Sequence, residues 1–600
     1  MQIAKRLRAP AAAKTIKGGE IITRILAAEG IKHVFGIIDG TYFGMYSTFG
    51  AHGIELITPR HETCAVHMAG AYARLKGELG VCMASNGPGV ANALPGVAVE
   101  EAEGNRVLLI TSCRRAGISY PERGGTFQYF PQVDVIGAMA KFSVAVPTVD
   151  RLAELTRKAI RESFTGRPGV VHLDVPESIM NTAVDVDPSW FREPGTSHLI
   201  SAPSPSSQQI SEAAKLLLRA SKPMIHAGSG VLHAGAWDEL NAVAELLDAP
   251  ITTSWGARAV LDERSDHALP MMYTAAVKKA RCEADMALVV GSRLGETDFW
   301  GKAPYWATPA KQQVIQVDLE PAAIGNNRPV ALGVQADVKV FLQLLADELG
   351  RRFQPERKAR KRWLARLTKA RNQRRAKLDE HLQSTSMPMH PAHVAGTCQD
   401  VFGDNAVLVV DGGNTSIWGH FYHQVRTPNT VLGTAKMGML GAGVSQAVAA
   451  KVARPNSPVV CIIGDGAMAF HQQEVETAVR NNLQVVWVVL CDKQWGMVKI
   501  NQQFALKPVK TLAKKAIGQN LSPDETINTD LHEIEFDVLG RAMGAHGERV
   551  ADPTGLNAAI KRAVASGKPA VIHVDVDPVA HLWAPELKTF KDMHAEPAGK

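Results

Sequence analysis

The chain has 600 residues, 46% of them apolar and 21% charged, with a formal net charge of +7. That length is too great for one hydrophobic core and implies about three or four domains. No run of about 18 apolar residues is present to span a bilayer. The first twenty residues, MQIAKRLRAPAAAKTIKGGE, are basic but have no apolar core of signal-peptide length, so a tail over residues 1–17 of a cytoplasmic protein is expected, with a transit peptide as the alternative. The seven cysteines are scattered, with no close pair at metal-ligand spacing, which points to reduced, buried thiols.

Apolar β-rich runs alternate with helical patterns along most of the chain, which predicts parallel sheets flanked by helices. HVFGII, GVCMAS, RVLLITS and GVVHLDVP read as the strands of a first block over residues 18–190. A Pro/Ser-rich linker, SAPSPSSQQ, begins at Ser201. PMIHAGSG, APITTSW, DMALVVGSR and QQVIQVDLEP then give a second block over 205–350. RRFQPERKARKRWLARLTKARNQRRAK, from Arg351, predicts a basic helical connector over 351–390. A solvated helix face between domains is the favoured reading of that run, over nucleic-acid binding, and it could steer a phosphorylated substrate. The third block, 391–577, contains AVLVVDGGNTS, PVVCIIGDGAM, VVWVVLCDKQWG and PAVIHVDVDP. Residues 578–600 have no clear period and read as a tail or a lid.

The strongest chemical signal lies between Gly464 and Met497. A β run meets Gly464-Asp465-Gly466 and then a helical pattern, so backbone N–H groups there are free to approach an anion at a helix N-terminus. A second strand ends at Cys491-Asp492-Lys493-Gln494-Trp495-Gly496. Asp465 and Asp492 therefore fall at the C-terminal ends of two strands, where open α/β sheets bind ligands. Two such oxygen ligands, with phosphate oxygens and water, suit an octahedral Mg²⁺ site. Each aspartate taken singly also fits a turn or a helix cap.

In combination, Gly464-Asp465-Gly466, the helical Glu474–Ala478, Asn481-Asn482 and Asp492 resemble the thiamine-diphosphate signature of the acetolactate-synthase-like superfamily. That signature typically ends in Asn-Asn; here Cys491 and Asp492 stand in those places. The resemblance implies metal ligands at Asp465, Asp492 and the carbonyl of Gln494. It implies cofactor contacts at Gly464, Gly466 and Ala467, in the Asp411–Thr415 loop at Gly412, Gly413 and Asn414, and at Gly438 and Leu440. Leu440 maps to the apolar wedge under a bent cofactor, and it also reads as ordinary core. In the first block Pro59-Arg60-His61-Glu62 precedes a helical pattern, and Glu62 matches the glutamate that activates the cofactor's aminopyrimidine. A helix N-terminus favours a glutamate too. Asn86-Gly87-Pro88-Gly89 resembles the loop beside the cofactor, with Pro88 at a binding position, and Gln128 matches a glutamine that faces substrate.

The resemblance runs from about Gly18 to Pro578. It implies pyrimidine, middle and diphosphate domains in that order, each a mostly parallel sheet flanked by helices. It also implies thiamine diphosphate with Mg²⁺, room for FAD or ADP in the middle domain, and a homodimer or homotetramer with sites at the subunit interface. No nucleic acid and no membrane are expected as partners. Arg293 resembles a middle-domain arginine that meets a substrate carboxylate, while Asn501 replaces the acceptor-selecting tryptophan of acetolactate synthase. Glu320-Pro321 with Asn327–Val330 resembles oxalyl-CoA decarboxylase and 2-hydroxyacyl-CoA lyase, which act on CoA thioesters. Gln494–Gly496, followed by Lys499 and Asn501-Gln502, resembles sulfoacetaldehyde acetyltransferase, and Met497 is a further candidate substrate residue. A 2-oxo acid is the first-ranked substrate class. A catalytically silent nucleotide-binding homologue is the alternative from another class, and an NAD-type dehydrogenase is disfavoured because no GxGxxG spacing surrounds Gly228-Ser229-Gly230.

Overall fold

The structure, a computed structural model, describes residues 15–198, 201–352 and 357–594. These fall into two compact units, one within Met1–Ala73 and Leu79–Ile200, the other within Arg74–Glu78 and Ser201–Lys600. Most of the expected N-terminal tail, and residues 595–600 of the C-terminal one, lie outside the described residues. Thr15–Lys17, assigned from sequence to the tail, forms strand β1.

The first unit holds β2 (His33–Gly36), β3 (Glu55–Ile57), β4 (Gly80–Ala84), β5 (Val107–Cys113), β6 (Phe142–Ala145) and β7 (Val170–Pro176), in the order β3-β2-β4-β5-β7-β6. β1 pairs antiparallel with β8 (Ala183–Asp185) beside them. The second unit carries two sheets. β9 (Pro223–Ala227), β10 (Ile251–Thr253), β11 (Ala268–Leu269), β12 (Met286–Val290), β13 (Gln313–Asp318) and β14 (Leu332–Gln335) lie in the order β11-β10-β9-β12-β13-β14. β15 (Val407–Asp411), β16 (Val431–Leu432), β17 (Val459–Gly464), β18 (Val486–Cys491), β19 (His546–Val550) and β20 (Ala570–Asp575) lie in the order β16-β15-β17-β18-β20-β19.

Every pairing found within the three six-stranded sheets is parallel. Parallel sheets are covered on both faces, which is why β4, β12 and β18 are apolar and buried throughout rather than alternating. The first and third sheets share one winding order. The middle sheet has the doubly wound order of dinucleotide-binding folds, with its switch point between β9 and β12. Six of the seven cysteines are buried free thiols, and Cys282 is exposed. No helix among the described residues is long and apolar enough to cross a membrane.

The basic connector forms a helix over Lys358–Asp379. Its charges do more than face solvent. Trp363, Leu367 and Leu378 enter a core shared with Met272 and Val277 of the middle block and Trp418 and Phe421 of the third. Arg360, 2% exposed, donates to the carbonyls of Leu217 (2.8 Å), Leu218 (3.2 Å), Leu247 (3.1 Å) and Ala220. Those carbonyls end helices Ser207–Arg219 and Trp237–Leu247, where the last turn has no partner within its own helix. A cation there also complements both helix dipoles. Arg371 likewise binds the carbonyls of Ser265 (2.6 Å) and Ala268 (2.8 Å).

Removing the guanidinium leaves several buried carbonyls bare. Arg360→Ala is expected to lower stability by about 2–4 kcal/mol, since hydrogen bonds to charged groups contribute about 1.5–3 kcal/mol each and do not add fully. Urea unfolding followed by tryptophan fluorescence should show the shift, and an unchanged midpoint would reduce the helix to a solvated strut.

Candidate active site

Two constellations carry the residues singled out from sequence, one in each unit. In the first unit, Glu62 opens the helix Glu62–Lys76 directly after β3. Its Oε2 accepts from Asn92 Nδ2 at 3.1 Å, on the neighbouring helix Pro88–Glu103. That helix starts with Pro88, exposed at its first position, and runs so close that a Cβ on Gly89 would stand 3.3 Å from Glu62 Oε1. The preceding turn requires glycine: Gly87 has φ +66°, and a Cβ there would meet the Gln128 carbonyl oxygen at 2.5 Å. Gln128 is exposed at φ +59°, and its Oε1 accepts from Asn86 Nδ2 at 3.2 Å.

Behind this loop lies a buried polar network that sequence reading missed. Asp174, on β7, accepts from Thr111 Oγ1 (2.6 Å), Gln132 Nε2 (2.5 Å) and the Tyr120 hydroxyl. Gln132 also donates to the Ser112 carbonyl at 2.8 Å. Burial and the Asp174 charge push the Tyr120 hydroxyl pKa upward. Burial lowers His172, beside Thr111, to about 4. The network anchors the segment that carries Gln128 to strands β5 and β7. The polar residues after β5 and the aspartate on β7 are the sequence traces of it, but neither has a recognisable spacing.

In the second unit, register places the ends of β15, β17 and β18 level. Asp411 pairs with Ile463, Gly464 with Leu490, and Cys491 with Asp575. Asp411, Asp465 and Asp492 thus come to one edge of the sheet, each at most 8% exposed. Asp411 accepts from the backbone N–H groups of Gly412 (2.6 Å) and Gly443 (2.8 Å), tying two glycine turns together. Asp465 accepts from the N–H groups of Gly466 (2.7 Å) and Lys493 (2.8 Å). Asp492 Oδ2 receives Gln494 Nε2 at 2.9 Å and lies 2.6 Å from His581 Nδ1.

Several other sequence-selected residues gather at the same edge. A Cβ on Gly413 would lie 3.0 Å from Met497, one on Gly496 would lie 2.8 Å from Asn414 Nδ2, and one on Gly466 would lie 2.7 Å from the Trp495 ring. Gly464 and Ala467 are buried in the turn between β17 and the helix Asp465–His471. Gly438 (φ +63°) and half-buried Leu440 precede helix Ala442–Ala453, whose first residues adjoin Asp411. Lys499 is buried, with Nζ 2.7 Å from Asp530, while Asn501 on the same helix is exposed. Arg293 stands elsewhere, after β12 of the middle sheet, where its carbonyl accepts from Asn327 Nδ2 at 2.8 Å.

The segment read as a tail or lid is folded onto this edge. Helix Pro578–Leu582 presents its Pro578 carbonyl to Gln494 Nε2 (2.9 Å), its His581 carbonyl to Trp418 Nε1 (3.0 Å) and its Leu582 carbonyl to Asn414 Nδ2 (3.4 Å). His581 itself was missed from sequence, because 89 residues separate it from its partner Asp492.

The donor set fits a hard divalent cation. Two buried carboxylates stand at adjacent strand ends, and burial and the charge of Asp492 together push Asp465 up to about 7. A bound cation relieves that repulsion. Among the described residues the buried Asn414 Oδ1 has no hydrogen-bond partner, and glycines at 413 and 496 pack close by, so a polar ligand finds a free acceptor there.

Parallel α/β domains with carboxylates at the strand ends are an arrangement that binds ligands at the sheet edge. Comparison with known proteins gives the family. Residues 16–135, 210–345 and 411–574 match, respectively, the N-terminal TPP binding, central and C-terminal TPP binding domains of thiamine pyrophosphate enzymes. A probable acetolactate synthase of Mycobacterium bovis is 30% identical over 572 residues, 95% of this chain and 97% of that protein. A probable acetolactate synthase large subunit of Methanococcus aeolicus is 27% identical over 590 residues, 94% of this chain and 93% of that protein. A 2-hydroxyacyl-CoA lyase of Oryza sativa is 29% identical over 590 residues, 95% and 97% of the two chains. The chain belongs to the acetolactate-synthase-like family of thiamine-diphosphate-dependent carboligases and lyases.

The raised Asp465 pKa has a signed consequence for the metal-free protein. A carboxyl whose folded pKa exceeds its unfolded value adds stability that is fully present below about pH 4 and lost as pH rises through about 7. Asp465→Asn, neutral at every pH, is therefore expected to melt above the parent at pH 8, with the gap closing toward pH 5. Thermal melts in EDTA test this, and a gap that fails to narrow would remove the repulsion between Asp465 and Asp492.

Proposed function

We propose that this enzyme breaks or forms a carbon–carbon bond adjacent to the carbonyl of a 2-oxo acid, with thiamine diphosphate held through Mg²⁺. The observation that carries the reading is the trio Asp465, Asp492 and Asn414 at one sheet edge, beside the glycine turns at 412–413 and 464–466. In this reading Asp465, Asp492 and the Gln494 carbonyl hold the cation. Gly412, Gly413, Asn414, Gly464, Gly466 and Ala467 hold the diphosphate, and Gly438 and Leu440 support the thiazolium ring. When bound, the cofactor supplies the nucleophilic carbon and the electron sink.

Glu62 holds and passes the proton that prepares the cofactor's aminopyrimidine, and Asn92 fixes its second oxygen. Gln128 faces substrate from its strained loop. Met497 lines the carboxylate edge of the third sheet from the start of its helix. Arg293 and Lys499 are the candidate partners of a substrate carboxylate, and an anion at Lys499 competes with Asp530. FAD or ADP at the middle sheet's switch point, and a homodimer or homotetramer, belong to the same reading. The sheet order supports the nucleotide.

A second reading, cleavage of a 2-hydroxyacyl- or oxalyl-CoA thioester, is favoured by the rice lyase, which matches as much of this chain as the Mycobacterium bovis synthase does. Acetyl transfer from sulfoacetaldehyde to phosphate is a third.

Protein reconstituted with thiamine diphosphate and Mg²⁺ should turn over pyruvate in a panel that also holds oxalyl-CoA, a 2-hydroxyacyl-CoA, and sulfoacetaldehyde with phosphate, products being read by mass spectrometry. Turnover of a thioester or of sulfoacetaldehyde alone would move the enzyme to the corresponding branch, and no turnover at all would favour a silent homologue. Glu62→Gln should lose at least about 100-fold in kcat, the low end for acid–base catalysis, while still binding cofactor. Asp465→Ala should lose metal-dependent cofactor binding. Normal turnover by the first, or normal affinity in the second, would overturn the role assigned to that residue.

A further inference from the structure

Gln494 and His581 converge on a single oxygen of Asp492, and the chemistry of that meeting is asymmetric. The Gln494 amide nitrogen lies 2.9 Å from Asp492 Oδ2 and 2.9 Å from the Pro578 carbonyl. Both neighbours accept, so the amide orientation is fixed with its NH₂ between them. His581 Nδ1 lies 2.6 Å from the same Oδ2, and its Nε2 lies 3.1 Å from Thr415 Oγ1. A carboxylate accepts and does not donate, so Nδ1 carries the proton toward Asp492 and Nε2 accepts from the threonine hydroxyl. Oδ2 is thereby filled by two donors, and Oδ1 takes part in neither bond.

The histidine is held in place independently of that bond. Its carbonyl accepts from Trp418 Nε1 at 3.0 Å. Its short helix is capped by Asp577, whose carboxylate accepts from the N–H groups of Val579 (2.8 Å) and Ala580 (3.1 Å). The Asp577 N–H donates to the Met389 carbonyl at 2.9 Å. His581 is 3% exposed and packs at the edge where the proposed metal ligands lie.

We infer that His581 is a positioning residue for the metal site: together with Gln494 it saturates Oδ2 of Asp492 and so leaves Oδ1 as the oxygen offered to the cation. The inference rests on the metal assignment made under the proposed function. It also accounts for an aspartate at 492. An asparagine that turned its oxygen to the cation would set its NH₂ against the NH₂ of Gln494. One that turned its oxygen to Gln494 would offer the cation an amide nitrogen. An aspartate satisfies both sides at once.

Two substitutions separate positioning from packing. An asparagine side-chain nitrogen sits near the place of a histidine Nδ1, and a glutamine nitrogen near that of Nε2. His581→Asn therefore keeps a donor toward Asp492, whereas His581→Gln keeps reach toward Thr415 and loses it. Calorimetric titration of Mg²⁺ into apo-enzyme saturated with thiamine diphosphate is expected to give a roughly 10- to 100-fold weaker Kd for His581→Gln, the usual range for lost orienting partners. His581→Asn should remain within about threefold of the parent. Asp492→Asn should weaken Mg²⁺ by about tenfold or more, although it removes no ligand atom count. Equal Kd values for the two His581 variants, whether both intact or both weakened, would overturn the inference. So would an Asp492→Asn protein with parental affinity, a test that stands even if a His581 variant fails to fold. Failure of the parent itself to bind Mg²⁺ with the cofactor would instead remove the metal assignment.

Discussion

Carboxylates at the ends of parallel strands are held in place by hydrogen-bond donors, because burying such a charge is costly unless each oxygen finds a donor or a cation. At this sheet edge three aspartates draw their donors in two ways. Asp411 and Asp465 each bind two backbone N–H groups, one of them from the residue that follows. Asp492 binds side chains instead. The first arrangement brings the chain close around each carboxylate, which is why glycines cluster at 412, 443 and 466. A Cβ on Gly443 would fall 2.7 Å from Asp411 Cβ. The second arrangement recruits distant parts of the chain, and it draws the C-terminal segment into the site.

The same economy of donors holds the second unit together. Arg360 and Arg371 are buried on backbone carbonyls rather than on acids. Arg258, 2% exposed, forms a closed pair with Glu263 at 2.9 Å and donates to the His423 carbonyl as well. The Glu263 carboxylate in turn accepts from the Val425 N–H at 2.9 Å, joining the middle block to the third. Burial and the neighbouring Arg258 charge lower His423 to about 3, so it stays neutral beside the guanidinium. Buried charge here specifies which backbone ends meet, while Lys358, Lys361, Arg362, Arg366, Lys369 and Lys377 remain exposed on the connector helix.

Parallel sheets made the architecture legible in sequence, since strands covered on both faces are unbroken apolar runs that local reading detects. The turn at Gly464–Gly466 and the aspartate at 492 were legible for the same reason: each directly follows such a run. The winding orders were not, because nothing local distinguishes a β9–β12 neighbour from a β9–β13 one. His581, Asn92 and Asp174 were equally hidden. Each acts on a residue 30 or more positions away, from a segment with no motif of its own. The connector reads as a solvated face because ten basic residues in one helix normally form one, and only tertiary packing reveals that two of its arginines, Arg360 and Arg371, are buried.

The first and third sheets share a winding order yet end in opposite chemistry. Around β4, β5 and β7 the strand ends offer hydroxyls and amides: Asn86, Thr111, Ser112 and Gln132, with the single carboxylate of Asp174 wrapped in donors. Around β15, β17 and β18 they offer three carboxylates, two of them held by backbone N–H groups of glycine turns. A common topology therefore provides two edges of the same shape, and side chains decide what each can hold. The amide-rich edge suits a neutral, hydrogen-bonding ring. The carboxylate edge concentrates negative charge, and burial together with the charge of Asp492 raises the Asp465 pKa, so this edge favours a cationic partner over a neutral one.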